Sequence, residues 1–313
     1  MSARAPRDHG GGLDSAIAAF GGTRAEWLDL STGINPVPYP IPELPHDAWT
    51  ALPDHAAYER LTTLARRYWS VPDGVDILPT AGASAAIAAL PRLIDAGAVR
   101  IPGPTYNEHA AAFQAAGWTV DDKGVDALVA VHPNNPDGTV WTASQLTAPL
   151  TIIDESFCDV IPAQSHIALA SRPGTVVLKS FGKFWGLAGL RLGFAIGDPD
   201  IIANLRDLLG PWNVSGAALA IGAEALSDPA WSDETRARLT QDTDRLDRLM
   251  GDKGSPLIGG TTLFRTYEVA DAQAAQTHLA QHKIWSRRFP YADNWLRLGL
   301  PHPDRWAQLE AAL

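Results

Sequence analysis

Cysteine is nearly missing: Cys158 is the one thiol in 313 residues. An internal disulfide and a thiolate metal cluster are thereby excluded, and no metal is expected. Long apolar runs are missing too, and none approaches the ~20 residues that span a bilayer. The opening MSARAPRDHGGG carries no apolar stretch of the secretory kind, so the cytoplasm is the expected location, with no membrane partner. Basic charge is in short supply. Twenty-five Lys and Arg against 35 Asp and Glu leave a net charge of −10. A nucleic-acid partner, which calls for a basic face, is not expected. A small anionic ligand remains open, because a few arginines inside a cleft outweigh the global charge. No internal repeat and no low-complexity linker interrupts the chain.

What is present is an alternation. The proline-rich stretch at 35–45, NPVPYPIPELP, cannot be helix and reads as an extended arm after the short strand WLDL. A helical pattern runs over 55–69. Short apolar strands then alternate with helices: DILPT, VRIP, WTV, ALVAVH, TIID, TVVLKS and RLGFAIG. This predicts an α/β fold with a mostly parallel central sheet and helices on both faces. Beyond Asp198 the pattern is mainly helical, with a long polar helix over 229–250. The strand-like TLFRTYEV, IWSRRF and WLRLGL follow and suggest a smaller α+β domain. The expected division is an N-terminal arm over 1–48 that joins the small domain, a large domain over 49–210 and a C-terminal small domain over 211–313.

Ligands of open α/β sheets sit beyond the carboxyl ends of the strands. AGASAAI follows DILPT, where Ala83 and Ser84 would open a helix and offer N–H groups and a hydroxyl to phosphate. PNNPDG follows ALVAVH and places Asn135 in a rigid turn. Asp154 ends TIID, and a carboxylate there is costly to bury unless donors meet it. SFGKFWGLAGLRLG, residues 180–193, follows TVVLK and sets Ser180, Lys183 and Arg191 at fixed spacing. Taken singly, each has a plainer explanation: Ser84 as a helix cap, the asparagines as turn formers. Together they describe one ligand, a phosphorylated pyridine aldehyde. Its aldehyde needs an amine, its ring nitrogen needs a carboxylate to stay protonated, and its phosphate needs N–H groups and a guanidinium.

These motifs resemble the fold-type I enzymes of pyridoxal 5'-phosphate, in the class I/II aminotransferase family. NNPDG, DESF, SFGKFWGLAGLRLG and WLRLGL occur in the family's order and cover essentially the whole chain. The resemblance implies that Lys183 is the Schiff-base lysine. It implies that Ser180 and Arg191 bind the cofactor phosphate, that Asn135 donates to the ring hydroxyl and that Asp154 pairs with the pyridinium. Tyr106 would stack on the ring, and Arg297 would clamp a substrate carboxylate. It also implies a homodimer. The N-terminal DHGG followed by LDLSTGINPVPYP narrows the likeness to the branch that decarboxylates L-threonine O-3-phosphate in cobalamin biosynthesis. An aminotransferase of histidinol phosphate is the alternative, and a non-catalytic binding module a more distant one. The bond that breaks is the one held perpendicular to the ring, so the anchor of the substrate's distal phosphate decides the outcome. His9, Asn35 and Arg287 or Arg288 are the candidates, although the two strand arginines read first as a solvated edge.

Two positions depart from the family. Phe157 stands where a tyrosine usually meets the ring hydroxyl, and Leu52–Pro53 replaces the usual Tyr-Pro, with Tyr58 a weak substitute. Four further residues have structural readings. Lys179 would sit at a sheet edge or in an ion pair, His132 would make a hydrogen bond at a strand end, and Cys158 a core contact. Glu155 would point away from the face that carries Asp154.

Overall fold

The computed structural model describes residues 7–313. The chain forms two compact units. The larger is Pro38–Arg236; the smaller joins the segment ending at Val37 to Ala237–Leu313. The sequence places these boundaries at 48/49 and 210/211, and packing explains the difference. Tyr39 sits edge-on to Trp185 and Trp231, 6.1 and 5.2 Å away, which ties the arm to the larger unit. The helix Gly216–Leu226 packs on the helix His55–Tyr68. At Gly222 a Cβ would come within 2.5 Å of Leu192 Cδ2, so glycine allows the close approach.

Strand β1 (Leu28–Asp29) belongs to the smaller unit. The larger unit holds β2 (Asp76–Thr80), β3 (Ala98–Arg100), β4 (Thr119–Val120), β5 (Ala127–Val131), β6 (Leu150–Asp154), β7 (Thr175–Ser180) and β8 (Gly193–Gly197). They form one seven-stranded sheet in the order β2-β8-β7-β6-β5-β3-β4. Only β8 runs antiparallel to its neighbours. Strands β5 and β6 are buried at every residue. That is why they read as continuous apolar runs rather than as an alternation.

In-register pairs Ala127↔Leu150, Val129↔Ile152 and Val131↔Asp154 share one face. Phe113, Trp118, Ile87 and Leu205 pack there, from the helices Asn107–Ala115, Ala83–Ala89 and Pro199–Leu209 and from the segment after the first. The other face is covered by the short helix Ile167–Ser171 and by Trp69, whose ring lies 4.9 Å from that of Phe194. At about 25 cal/mol per Å² of apolar area removed from water, this double cover is the main stabilising term of the unit.

In the smaller unit, β9 (Leu257–Thr261), β10 (Phe264–Glu268), β11 (Ile284–Trp285), β12 (Arg287–Phe289) and β13 (Ala292–Gly299) complete the strands. A four-stranded antiparallel sheet runs β12-β13-β10-β9, and β1 pairs in parallel with β11. TLFRTYEV supplies β10, as its pattern suggests, after a turn at 262–263 that links it to Thr261 of β9. The helix Leu13–Phe20 is not foreseen in the sequence: its N-cap is Gly12 in the left-handed region, not one of the usual polar caps. Among the described residues no helix is long and apolar enough to cross a membrane.

Candidate active site

Asp154 ends β6, the innermost of the apolar runs, and is 2% exposed. Its Oδ1 accepts from the Ser156 N–H (3.0 Å) and hydroxyl (2.5 Å), and its Oδ2 meets His109 Nε2 at 2.8 Å. Burial pushes the carboxyl pKa up, but the His109 and Ser156 bonds outweigh it and hold the group below its ordinary 3.8. The carboxylate therefore stays ionised at neutral pH. His109 was missed in the sequence, although a signal existed. It lies three residues after Tyr106 and so shares a helix face with it, their rings 6.0 Å apart.

Asp154 lines one cavity with Ala83, Ser84, Tyr106, Asn135, Ser180, Lys183 and Arg191. These are all the cofactor residues expected from the sequence, carried together by the ends of β6 and β7 and by the segments that follow β2, β3, β5 and β7. Of the two neighbouring asparagines, Asn134 is spent on the scaffold. Its amide donates to Pro104 O and Asp137 Oδ1, and its oxygen accepts from Thr105. Asn135 is the one that reaches the cavity. Lys183 Nζ lies 5.3 Å from the centre of the Phe157 ring, so the position of the usual tyrosine presents a hydrocarbon face to the amine.

The basic end of the cavity is built tightly. Arg191 takes a left-handed backbone (φ 55), and its guanidinium donates to Ser84 Oγ (2.8 Å) and Ala188 O (3.1 Å). Gly82, just before the helix Ala83–Ala89, has φ 78, and a Cβ there would lie 2.5 Å from Arg191 Nη2. Glycine is needed twice over, for the backbone angle and for the space. Ser180 Oγ accepts from the Gly182 N–H.

The other expected residues lie in the smaller unit. Arg297 on β13 is 5% exposed, with Nη2 donating to Ser31 O at 2.6 Å. Burial first, then the neighbouring Arg287, pulls its pKa down to about 9, which still leaves it charged at neutral pH. Asn35 is buried, and its Oδ1 accepts from Arg238 (2.6 Å) and the Val37 N–H (3.1 Å). Arg287 is not a solvated edge residue. It is 13% exposed, holds both Asp8 oxygens at 2.6 Å and donates to His9 O. Asp8 captures it because the N-terminal segment passes alongside β12. His9, Gly11, Gly12, Ser15, Ser31 and Arg287 line a second cavity there. Arg288 is exposed and reaches Gln276.

The residues given structural readings take them. Lys179 is 1% exposed and pairs with Glu155 at 2.6 Å. His132 bonds Gln164 O and accepts from the Trp141 N–H, and Cys158 is buried. His132, Glu155 and Cys158 have donor atoms within 4.8 Å of one another, but the first two are already engaged with protein groups, so no metal centre is assigned. Tyr58 donates to Val214 O, and Leu52 is exposed.

Comparison with known proteins agrees with this geometry. A threonine-phosphate decarboxylase of Pseudomonas aeruginosa is 39% identical over 98% of this chain and 97% of its own. One from a Sinorhizobium species is 41% identical over 96% and 95%. The histidinol-phosphate aminotransferase of Sinorhizobium meliloti, solved in complex with pyridoxal-5'-phosphate, shares the fold at a TM-score of 0.84, with 16% identity over 97% of this chain and 94% of that one. Residues 119–312 match the family model described as aminotransferase class I and II. An ionised aspartate at the end of β6, with a lysine and an arginine on the segment after β7, within a match of this extent, place the chain in the aminotransferase class I and II family.

Proposed function

We propose that this chain decarboxylates L-threonine O-3-phosphate to (R)-1-amino-2-propanol O-2-phosphate, a step of cobalamin biosynthesis, in the cytoplasm and with pyridoxal 5'-phosphate as cofactor. The observation that carries this is the single cavity in which an amine, an ionised carboxylate and a guanidinium meet. The near full-length likeness to threonine-phosphate decarboxylases supports the substrate.

The residues present fit the cofactor. Gly82 leaves a cradle that any side chain would fill. Around it, the N–H groups at Ala83 and Ser84, the Ser84 and Ser180 hydroxyls and Arg191 form a donor set for a phosphate dianion. Asp154, kept ionised by His109 and Ser156, would hold a proton on the ring nitrogen. Asn135 would take the ring hydroxyl without the help of a tyrosine, and Tyr106 would cover the ring. When bound, the cofactor supplies an electrophilic aldehyde and a ring that takes up the electron pair left when a bond to the substrate Cα breaks. Lys183 Nζ would give up its place to the substrate amine and then hold the proton that replaces CO2 at Cα.

Arg297 would take the substrate carboxylate, and His9 with Asn35 would complete the substrate contacts. Arg297→Lys is expected to raise KM about 10- to 100-fold, the worth of a charge-assisted bond whose fork geometry is lost. His9→Ala should also raise KM for threonine phosphate; an unchanged value removes His9 from the site. A homodimer is part of the proposal. Trp49, Leu52 and Trp212, each more than half exposed in the larger unit, support an apolar surface for a second copy. Sedimentation at a single chain mass would count against it.

The test supplies purified protein and cofactor first with threonine phosphate, following CO2. Histidinol phosphate with 2-oxoglutarate comes second, following glutamate. CO2 without glutamate is expected; glutamate without CO2 would make the chain an aminotransferase.

A further inference from the structure

The Lys179–Glu155 ion pair stands directly behind the cavity. Glu155 follows Asp154 at the end of β6, and Lys179 precedes Ser180 at the end of β7. Alternation turns Asp154 and Ser180 to the cavity and the two charged neighbours to the opposite face. The Glu155 N–H donates to Leu178 O at 3.0 Å, continuing the ladder that ends with Asp154↔Leu178. The side-chain pair, at 2.6 Å and with both partners at most 2% exposed, adds a tie across the same strand ends. It is braced in turn. Glu155 accepts from Ser165 Oγ and the His166 N–H. Lys179 also reaches Asp159, which accepts from the indoles of Trp69 and Trp185.

A buried pair of this kind adds little net stability over an apolar replacement, because desolvation offsets the attraction. Its remaining use is to fix geometry. Asp154 and Ser180 are the residues assigned to the ring nitrogen and the phosphate, the two ends of one rigid ligand. We propose that Lys179 and Glu155 are positioning residues that set the spacing of Asp154 and Ser180, and so the affinity for pyridoxal phosphate. This rests on the cofactor assignment above.

The test titrates apo-protein with pyridoxal phosphate, reading the visible absorbance of the bound cofactor. Glu155→Gln keeps the shape and leaves Lys179 its Asp159 partner. Lys179→Met/Glu155→Gln removes both charges of the pair and leaves Asp159 its two indole donors. Val177→Ala, on the same strand and face as Lys179, is the control for a destabilised core. Both pair variants should bind the cofactor about tenfold or more weakly, the scale seen when the outer partners of ligand residues are lost. Val177→Ala should bind as wild type does. Wild-type affinity in both pair variants, or an equal loss in Val177→Ala, would overturn the positioning role alone. Failure of the wild-type protein to bind pyridoxal phosphate would overturn the cofactor assignment and this role with it.

Discussion

Lys183→Ala should lower the decarboxylation rate by ~10³-fold or more, the scale of a lost proton-transfer group. The amine leaves on a loop at the cavity wall, beside Phe157, so the fold should survive and the melting temperature should hardly move. Lys183→Arg should be equally inactive, since a guanidinium stays protonated and cannot act as the nucleophile. The visible absorbance of the bound cofactor should change in both. Lys179, four residues earlier, cannot take over. Burial alone would lower its pKa, but Glu155 and Asp159 outweigh this and push it up, leaving the amine protonated on the wrong face of the sheet. Retention of more than a tenth of the wild-type rate in Lys183→Ala would remove that residue from the chemistry.

Lys179→Met should cost about 3–5 kcal/mol of stability, because it strands a buried carboxylate. The loss should depend on pH in a defined direction. In the wild-type protein, burial raises the Glu155 pKa, but Lys179 and then the Ser165 and His166 bonds bring it below 4.5. Its contribution is therefore complete above 4.5 and lost as pH falls through the folded value. The raised pKa of Lys179 adds a contribution that is complete below 10.5 and lost as pH rises further. Without Lys179 the strongest influence that favours the Glu155 carboxylate is gone, and burial opposes its charge. The gap between variant and wild type should be widest between about pH 4.5 and 10.5 and should narrow in acid. Urea unfolding across that range measures it, and a gap independent of pH would contradict the assignment.

The site was largely legible in the sequence because its residues are held at strand ends, and a strand end is marked where an apolar run stops. Asp154 and Ser180 could be placed from TIID and TVVLKS, and Lys183 from the SFGK stretch that follows, since a parallel sheet delivers its C-terminal ends to one edge. His109 could not. Its role depends on a helix three elements away from β6 bringing Nε2 to Asp154, a contact 45 residues apart in the chain. Arg287 was misread for the same reason: Asp8, its partner, lies 279 residues away.

The chain by itself determined the alternation of strands and helices, the chemistry of the loops between them and the inward-facing residues of each strand. These follow from local periodicity, which short-range sterics impose on every residue. Only the tertiary structure decided which polar groups answer one another. Asp154 stays ionised because His109 folds onto it, Lys179 is silenced because Glu155 and Asp159 surround it, and the unit boundary falls where Tyr39 and the helix Gly216–Leu226 dock. Pairing energies of that kind depend on distance in space, and a linear order of residues does not contain it.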